Sequence, residues 1–188
     1  MTMKHIECKN CPLLTERREP KPVEFGAFYN CANGNIDIVV VGHAKNHVKD
    51  SVFEGKTGKF VCKELDRYNI AAYGTDMYKC VLSYYPEKPG PDCHPGLRCV
   101  ELFINELKAY SPRLVVSLGP KPSLTIADKN VMQLPDRPLS VTYYGQEIML
   151  MAVSHPTSID RCEDSDANWK IWNKRWSVIK EVLNGTKQ

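Results

Sequence analysis

No stretch of the 188 residues approaches the ~20 consecutive apolar residues that a membrane-spanning helix needs. The segment from Met1 to Cys11 also lacks the apolar run of a secretory signal, so a soluble, cytoplasmic monomer with no membrane partner is expected. Any excess of one charge sign over the other is small as well. Lys and Arg number 25 against 22 Asp and Glu, a net +3, which gives no bulk signature of nucleic-acid binding and leaves only a local basic patch to hold phosphates. There is no internal repeat and no low-complexity tract. Length and a hydrophobic content of 43% suit one buried core and are too small for two, so residues 1–188 are read as a single domain.

What the chain does have is cysteine, eight in all. In a reducing compartment that number argues for metal binding plus buried free thiols more than for disulfides. Cys8 and Cys11 are separated by two residues, a spacing that lets one turn bind a metal, and Cys80 and Cys99 follow far downstream. A site built from these four thiols would clasp the N-terminal segment onto the domain. Cys93 competes with Cys99 as the last ligand, while Cys31, Cys62 and Cys162 read as small core thiols.

The apolar pattern alternates strands with helices. Ile36 to Gly42 and Leu114 to Gly119 are β-branched runs that end in glycine, as buried parallel strands do where they deliver a loop. Asp76 to Leu82 reads as another strand, and Val141 to Tyr144 with Glu147 to Val153 as a hairpin about Tyr-Gly. Helices are expected over Gly58 to Tyr68 with Asn69 as the stop, over Leu97 to Tyr110, over Ser123 to Asp128, and over Trp169 to Leu183. In the last of these, Trp169, Trp172 and Trp176 read as core packing. Pro86 to Pro95 reads as a loop. The predicted fold is α/β, a three-layer α/β/α sandwich on a central, mainly parallel, four-stranded sheet, with ligands outside the carboxyl ends of its strands. Those ends carry Gly42-His43-Ala44, Asp76 with Lys79-Cys80, Gly119, and Ser154-His155-Pro156-Thr157-Ser158. Gly55-Lys56-Thr57 is not a P-loop, because the position that would need the first glycine is Asp50.

In the order of these motifs the chain resembles the iron–sulfur uracil-DNA glycosylases, the family 4 and family 5 branches of that superfamily, over nearly its whole length. Cys8-Lys-Asn-Cys11-Pro-Leu with Arg17 or Arg18 looks like the N-terminal cluster motif, Lys79-Cys80 like the cysteine that follows a strand, and Cys99-Val-Glu-Leu-Phe like the helix bearing the last ligand. Phe53-Glu-Gly55-Lys-Thr-Gly58 resembles the family's Phe-x-Gly-x-Ala-Gly turn, and His155-Pro156-Thr157-Ser158 its base-contacting histidine loop. The resemblance implies a uracil-DNA-glycosylase-like domain and a DNA partner. It also implies a structural [4Fe-4S] cluster on Cys8, Cys11, Cys80 and Cys99, with Zn on the same thiols as the alternative. The activity it implies is hydrolysis of the N-glycosidic bond of a flipped base, leaving an abasic site.

Two departures bear on that chemistry. The family's Gly-Glu-Ala-Pro-Gly loop is here Gly42-His43-Ala44-Lys45-Asn46, followed by Lys49-Asp50, so His43 or Asp50 is left to position the attacking water and His155 to stabilise the departing base. Where the family commonly has Asn, the chain has Asp76. A carboxylate only accepts hydrogen bonds, which suits the exocyclic amine of cytosine better than the imide of uracil. Because removal of ordinary cytosine would destroy the host genome, the expected substrate is a modified cytosine, such as glucosylated hydroxymethylcytosine in phage DNA, in antiviral defence. Uracil repair and non-catalytic DNA binding are the alternatives. Phe53 would stack on the base, with Gly42 and Ala44 lining its pocket. Lys45, Lys56, Lys121, Thr157, Ser158 and Arg161 are candidate DNA contacts, and Ile159 would fill the gap left by the flipped base.

Overall fold

The computed structural model describes residues 26–31, 35–43, 52–79 and 97–185. Within them the chain builds one mixed sheet of six strands: β1 (Ala27–Tyr29), β2 (Ile38–Gly42), β3 (Ala72–Asp76), β4 (Leu114–Leu118), β5 (Leu139–Tyr143) and β6 (Gln146–Val153), in the spatial order β1-β3-β2-β4-β6-β5. The four inner strands run parallel, and β1 and β5 pair antiparallel at the two edges. Every residue of β2, β3 and β4 is buried, which is why β2 and β4 read as continuous apolar runs instead of alternating ones.

Helices cover both faces. Ile38, Val40, Leu114 and Val116 point to one side, where they meet Val61 and Leu65 of α1 (Gly55–Tyr68) and Trp172, Trp176, Ile179 and Leu183 of α5 (Ser165–Gly185). Val39, Val41 and Val115 point to the other and meet Phe103 and Leu107 of α2 (Leu97–Tyr110) and Ile126 of α3 (Pro120–Ala127). Trp172 and Trp176 are fully enclosed, as their helical spacing implied, and truncating either should cost ~3–5 kcal/mol. A single further turn, α4 (Pro156–Ile159), follows β6.

Three expectations need correction. The sheet has six strands, not four, because a three-residue edge strand and the β5–β6 hairpin extend the parallel centre. The strand expected from Asp76 to Leu82 instead ends at Asp76. Its Ala-Tyr-Gly-Thr-Asp sequence lacks a β-branched run because Gly74 must stay small: a Cβ there would lie 2.0 Å from Val52 Cγ1 and 2.7 Å from the Phe53 ring. Helix α3 starts at Pro120, ahead of the expected Ser123, since a proline in the first turn gives up no intrahelical hydrogen bond. By contrast, α1 stops at Asn69 as expected, in a left-handed cap with φ 50°.

Candidate active site at the carboxyl ends of the parallel strands

The four inner strands end side by side, and each end carries one of the candidate residues. Asp76 closes β3, Gly42 and His43 close β2, Gly119 follows β4, and Ser154 and His155 follow β6. Side-chain and backbone packing ties these ends to one another. Gly42 sits opposite Asp76 in the ladder, and a Cβ on it would lie 2.2 Å from Asp76 Oδ1, so the missing side chain is what lets the carboxylate lie across the neighbouring strand. Beyond the strands the backbone stays paired, with the Met77 N–H donating to the Gly42 carbonyl and the Tyr78 N–H to that of His43, both at 3.0 Å. The Tyr78 ring meets the His43 imidazole edge-on at 4.9 Å. Burial, assisted by the Lys121 cation, pushes the His43 pKa down to about 4, so its ring is neutral at pH 7. Asp76 itself is only 7% exposed.

His155 is held from three sides. Gly119, at φ 84°, takes a conformation that favours glycine, and a Cβ there would come within 2.9 Å of the His155 Cβ. Its N–H donates to the Val153 carbonyl at 2.7 Å, while the Ser123 hydroxyl donates to the Gly119 carbonyl at 2.8 Å and so fixes the turn from β4 into α3. On the imidazole, Thr157 Oγ1 lies 2.7 Å from Nδ1 and Thr57 Oγ1 lies 3.5 Å from Nε2. Burial, and next the Arg161 cation, hold the His155 pKa below its ordinary value, so this ring too is neutral at pH 7. Deeper down, the buried Arg175 donates to the carbonyls of Val131, Leu134 and Ala152 and pairs with Asp136, which anchors the end of β6 to α5.

Other candidates fall in different surroundings. Phe53 is 9% exposed, its ring packed over Gly74 and against Tyr29 at a centroid distance of 5.4 Å, so most of it belongs to the core. Ile159, expected to fill the gap left by a flipped base, is not at the surface. The turn of α4 rolls it inward until it is 1% exposed within the α1/α5 cluster, while Ser158 and Arg161 remain exposed and Thr157 is half-buried against His155. Lys56 forms an ion pair with Asp160 at 2.8 Å, yet its side chain is 67% exposed, so the pair is weakly held. Lys121 stands half-buried in the first turn of α3, and its charge helps lower the His43 pKa.

Cys99 is buried in the first turn of α2. The residue preceding Cys80, Lys79, donates to Glu106 of the same helix at 2.6 Å, and Glu106 also accepts from Thr75 and Tyr73. Ala44, Lys45 and Asp50, together with Cys8, Cys11, Cys80 and the competing Cys93, lie outside the described residues. An open concavity of about 540 Å³ lies at the far end of α3, lined by Leu124 to Asp128 and by Val141 and Thr142 of β5, away from the strand ends.

Thr57 and Tyr78 were not among the sequence candidates. For Thr57 a signal existed, because it stands where the turn of the resembling family carries alanine, and a hydroxyl replacing a methyl beside a histidine loop is a chemical change. For Tyr78 there was none. Comparison with models of known protein families and with curated proteins finds no match for this chain.

Proposed function

We propose that this protein is a DNA glycosylase that hydrolyses the N-glycosidic bond of a pyrimidine turned out of the helix, and that its substrate is a cytosine carrying an additional substituent. The observation that carries the reading is the joining of Asp76, His43 and His155 across four adjacent strand ends. A carboxyl group and two neutral imidazoles along one edge of the sheet support it.

Each group has a task that its surroundings support. Asp76, wedged over Gly42, offers carboxyl oxygens suited to accept from the exocyclic amine of cytosine. His155, neutral and fixed through Nδ1, is suited to donate from Nε2 to the base carbonyl as negative charge builds on the leaving base. His43, neutral well below pH 7, is suited to orient water toward the sugar carbon. Lys121, near His43, adds a cation for a phosphate. Extruding the base costs a few kcal/mol, which phosphate and pocket contacts must offset.

Cys8, Cys11, Cys80 and Cys99 would hold a [4Fe-4S] cluster, with Zn as the alternative occupant of the same four thiols. Cys99 lies at the start of α2, and Lys79, the neighbour of Cys80 in the sequence, pairs with Glu106 of the same helix. Such a group would staple the N-terminal segment and take no part in base release. Freshly purified brown protein, with a visible absorption lost on oxidation, is expected for the cluster, and colourless protein containing Zn for the alternative.

The functional test is base release from duplexes containing cytosine, uracil or glucosylated hydroxymethylcytosine, read by alkaline cleavage at the abasic site. Strand scission at the modified cytosine supports the proposal. Scission at uracil alone would make the protein a uracil repair enzyme, and binding without scission would make it a DNA-binding relative.

A further inference from the structure

We infer that Thr57 is a positioning residue for His155: together with Thr157 it fixes the proton of the imidazole on Nε2, and its hydroxyl holds the place that an incoming base carbonyl takes. The inference rests on the reading of His155 as a donor to the base.

The ring is contacted by one hydroxyl on each nitrogen, and only two arrangements satisfy both. Either Thr157 donates to Nδ1 and Nε2–H donates to Thr57, or the reverse. The two contacts are unequal, 2.7 Å at Nδ1 and 3.5 Å at Nε2. The short one matches the length at which a hydroxyl donates better than that of a ring N–H bond. On that length we assign Thr157 as the donor, Nδ1 as the acceptor, and the proton to Nε2, the nitrogen beside Thr57. The long contact is at the outer limit of hydrogen bonding and is readily exchanged for a stronger acceptor.

Thr57 is well placed for this role. It lies in the first turn of α1, close behind Phe53, while Thr157 lies in α4, so His155 is gripped between two elements that are already packed together. Lys56 and Asp160 bridge the same junction from outside at 2.8 Å. Because burial keeps the ring neutral, a single proton must be directed to one of two nitrogens, and the hydroxyls alone decide which.

The test combines a spectroscopic and a kinetic reading on the full-length protein. Ring-nitrogen NMR of isotope-labelled histidine, assigned with His155→Ala, should show the His155 proton on Nε2 and protected from exchange. Thr57→Val should expose that proton to rapid exchange and lower kcat by roughly tenfold to a hundredfold with KM unchanged, and Thr57→Ser should restore both. A proton on Nδ1 in the unaltered protein, or a Thr57→Val variant with unaltered exchange and kcat, would overturn the inference. Should no duplex lose a base, the glycosylase reading fails, while the NMR result still decides whether Thr57 sets the proton.

Discussion

The two halves of the strand-end edge hold their polar groups by different means. On the β3–β2 side, Asp76 and His43 are fixed by backbone pairing, by the absence of a side chain at Gly42 and by the edge of the Tyr78 ring. On the β4–β6 side, His155 is fixed by hydroxyls from two helices. Groups set by backbone and missing Cβ atoms leave little freedom, which suits the choice of a base. A ring held by exchangeable hydroxyls can pass its proton contact to a ligand, which suits assistance to a departing group.

The contrast can be broken most forcefully at His155. If His155 acts as proposed, His155→Ala should lower base release by about 10²–10³-fold while leaving DNA binding nearly intact, measured by single-turnover kinetics beside a binding titration. Gly42→Ala comes next. Its Cβ would displace the Asp76 carboxylate, so it should cost ~1–3 kcal/mol in denaturant unfolding and blur discrimination among pyrimidines, with the fold retained in circular dichroism.

A smaller effect is expected from pH. The folded-state pKa of His43, about 4, lies below its ordinary 6.5. Between those values the unfolded chain binds the proton and the folded chain does not, so the stability contribution is complete above pH 6.5 and is lost as pH falls toward 4. Thermal melts of His43→Asn should lose part of that acid sensitivity. In a pH–rate profile His43 should likewise cause no fall in rate near 6.5. The smallest effect belongs to the outer rim, where Lys56→Ala should change unfolding free energy by no more than ~1 kcal/mol, because its ion pair with Asp160 is exposed.

The parts of the fold that were legible in the sequence are those set by local physics. Strands β2 and β4 announce themselves as β-branched runs, and α1 by its apolar spacing and the asparagine that ends it. Strand β3 does not, because its glycine serves the packing of Val52 and Phe53, a contact between segments distant in sequence. The edge strand β1 has only three residues and too little pattern to read. His43 and His155 are recognisable as strand-end residues, since β2 and β6 are legible; Asp76 is expected at the start of a strand running to Leu82, and its place at the carboxyl end of β3 is not legible. The inward turn of Ile159 depends on how a single helical turn packs against α1 and α5, and the role of Thr57 on a meeting of α1 with the histidine loop. No local sequence pattern encodes the first, and for the second the threonine in place of an alanine marks the position without showing what it touches.

The proposed choice of base rests on the carboxyl group at position 76, so base preference should change when that group becomes an amide. Release from a modified-cytosine duplex and from a uracil duplex should be measured side by side for the unaltered protein and for Asp76→Asn. The unaltered protein should favour the modified cytosine, and the amide should move the ratio toward uracil by about ten- to a hundredfold, the effect of ~1–3 kcal/mol of mismatched polar contact. An unchanged ratio, or no base loss from either duplex with either protein, would contradict the proposal.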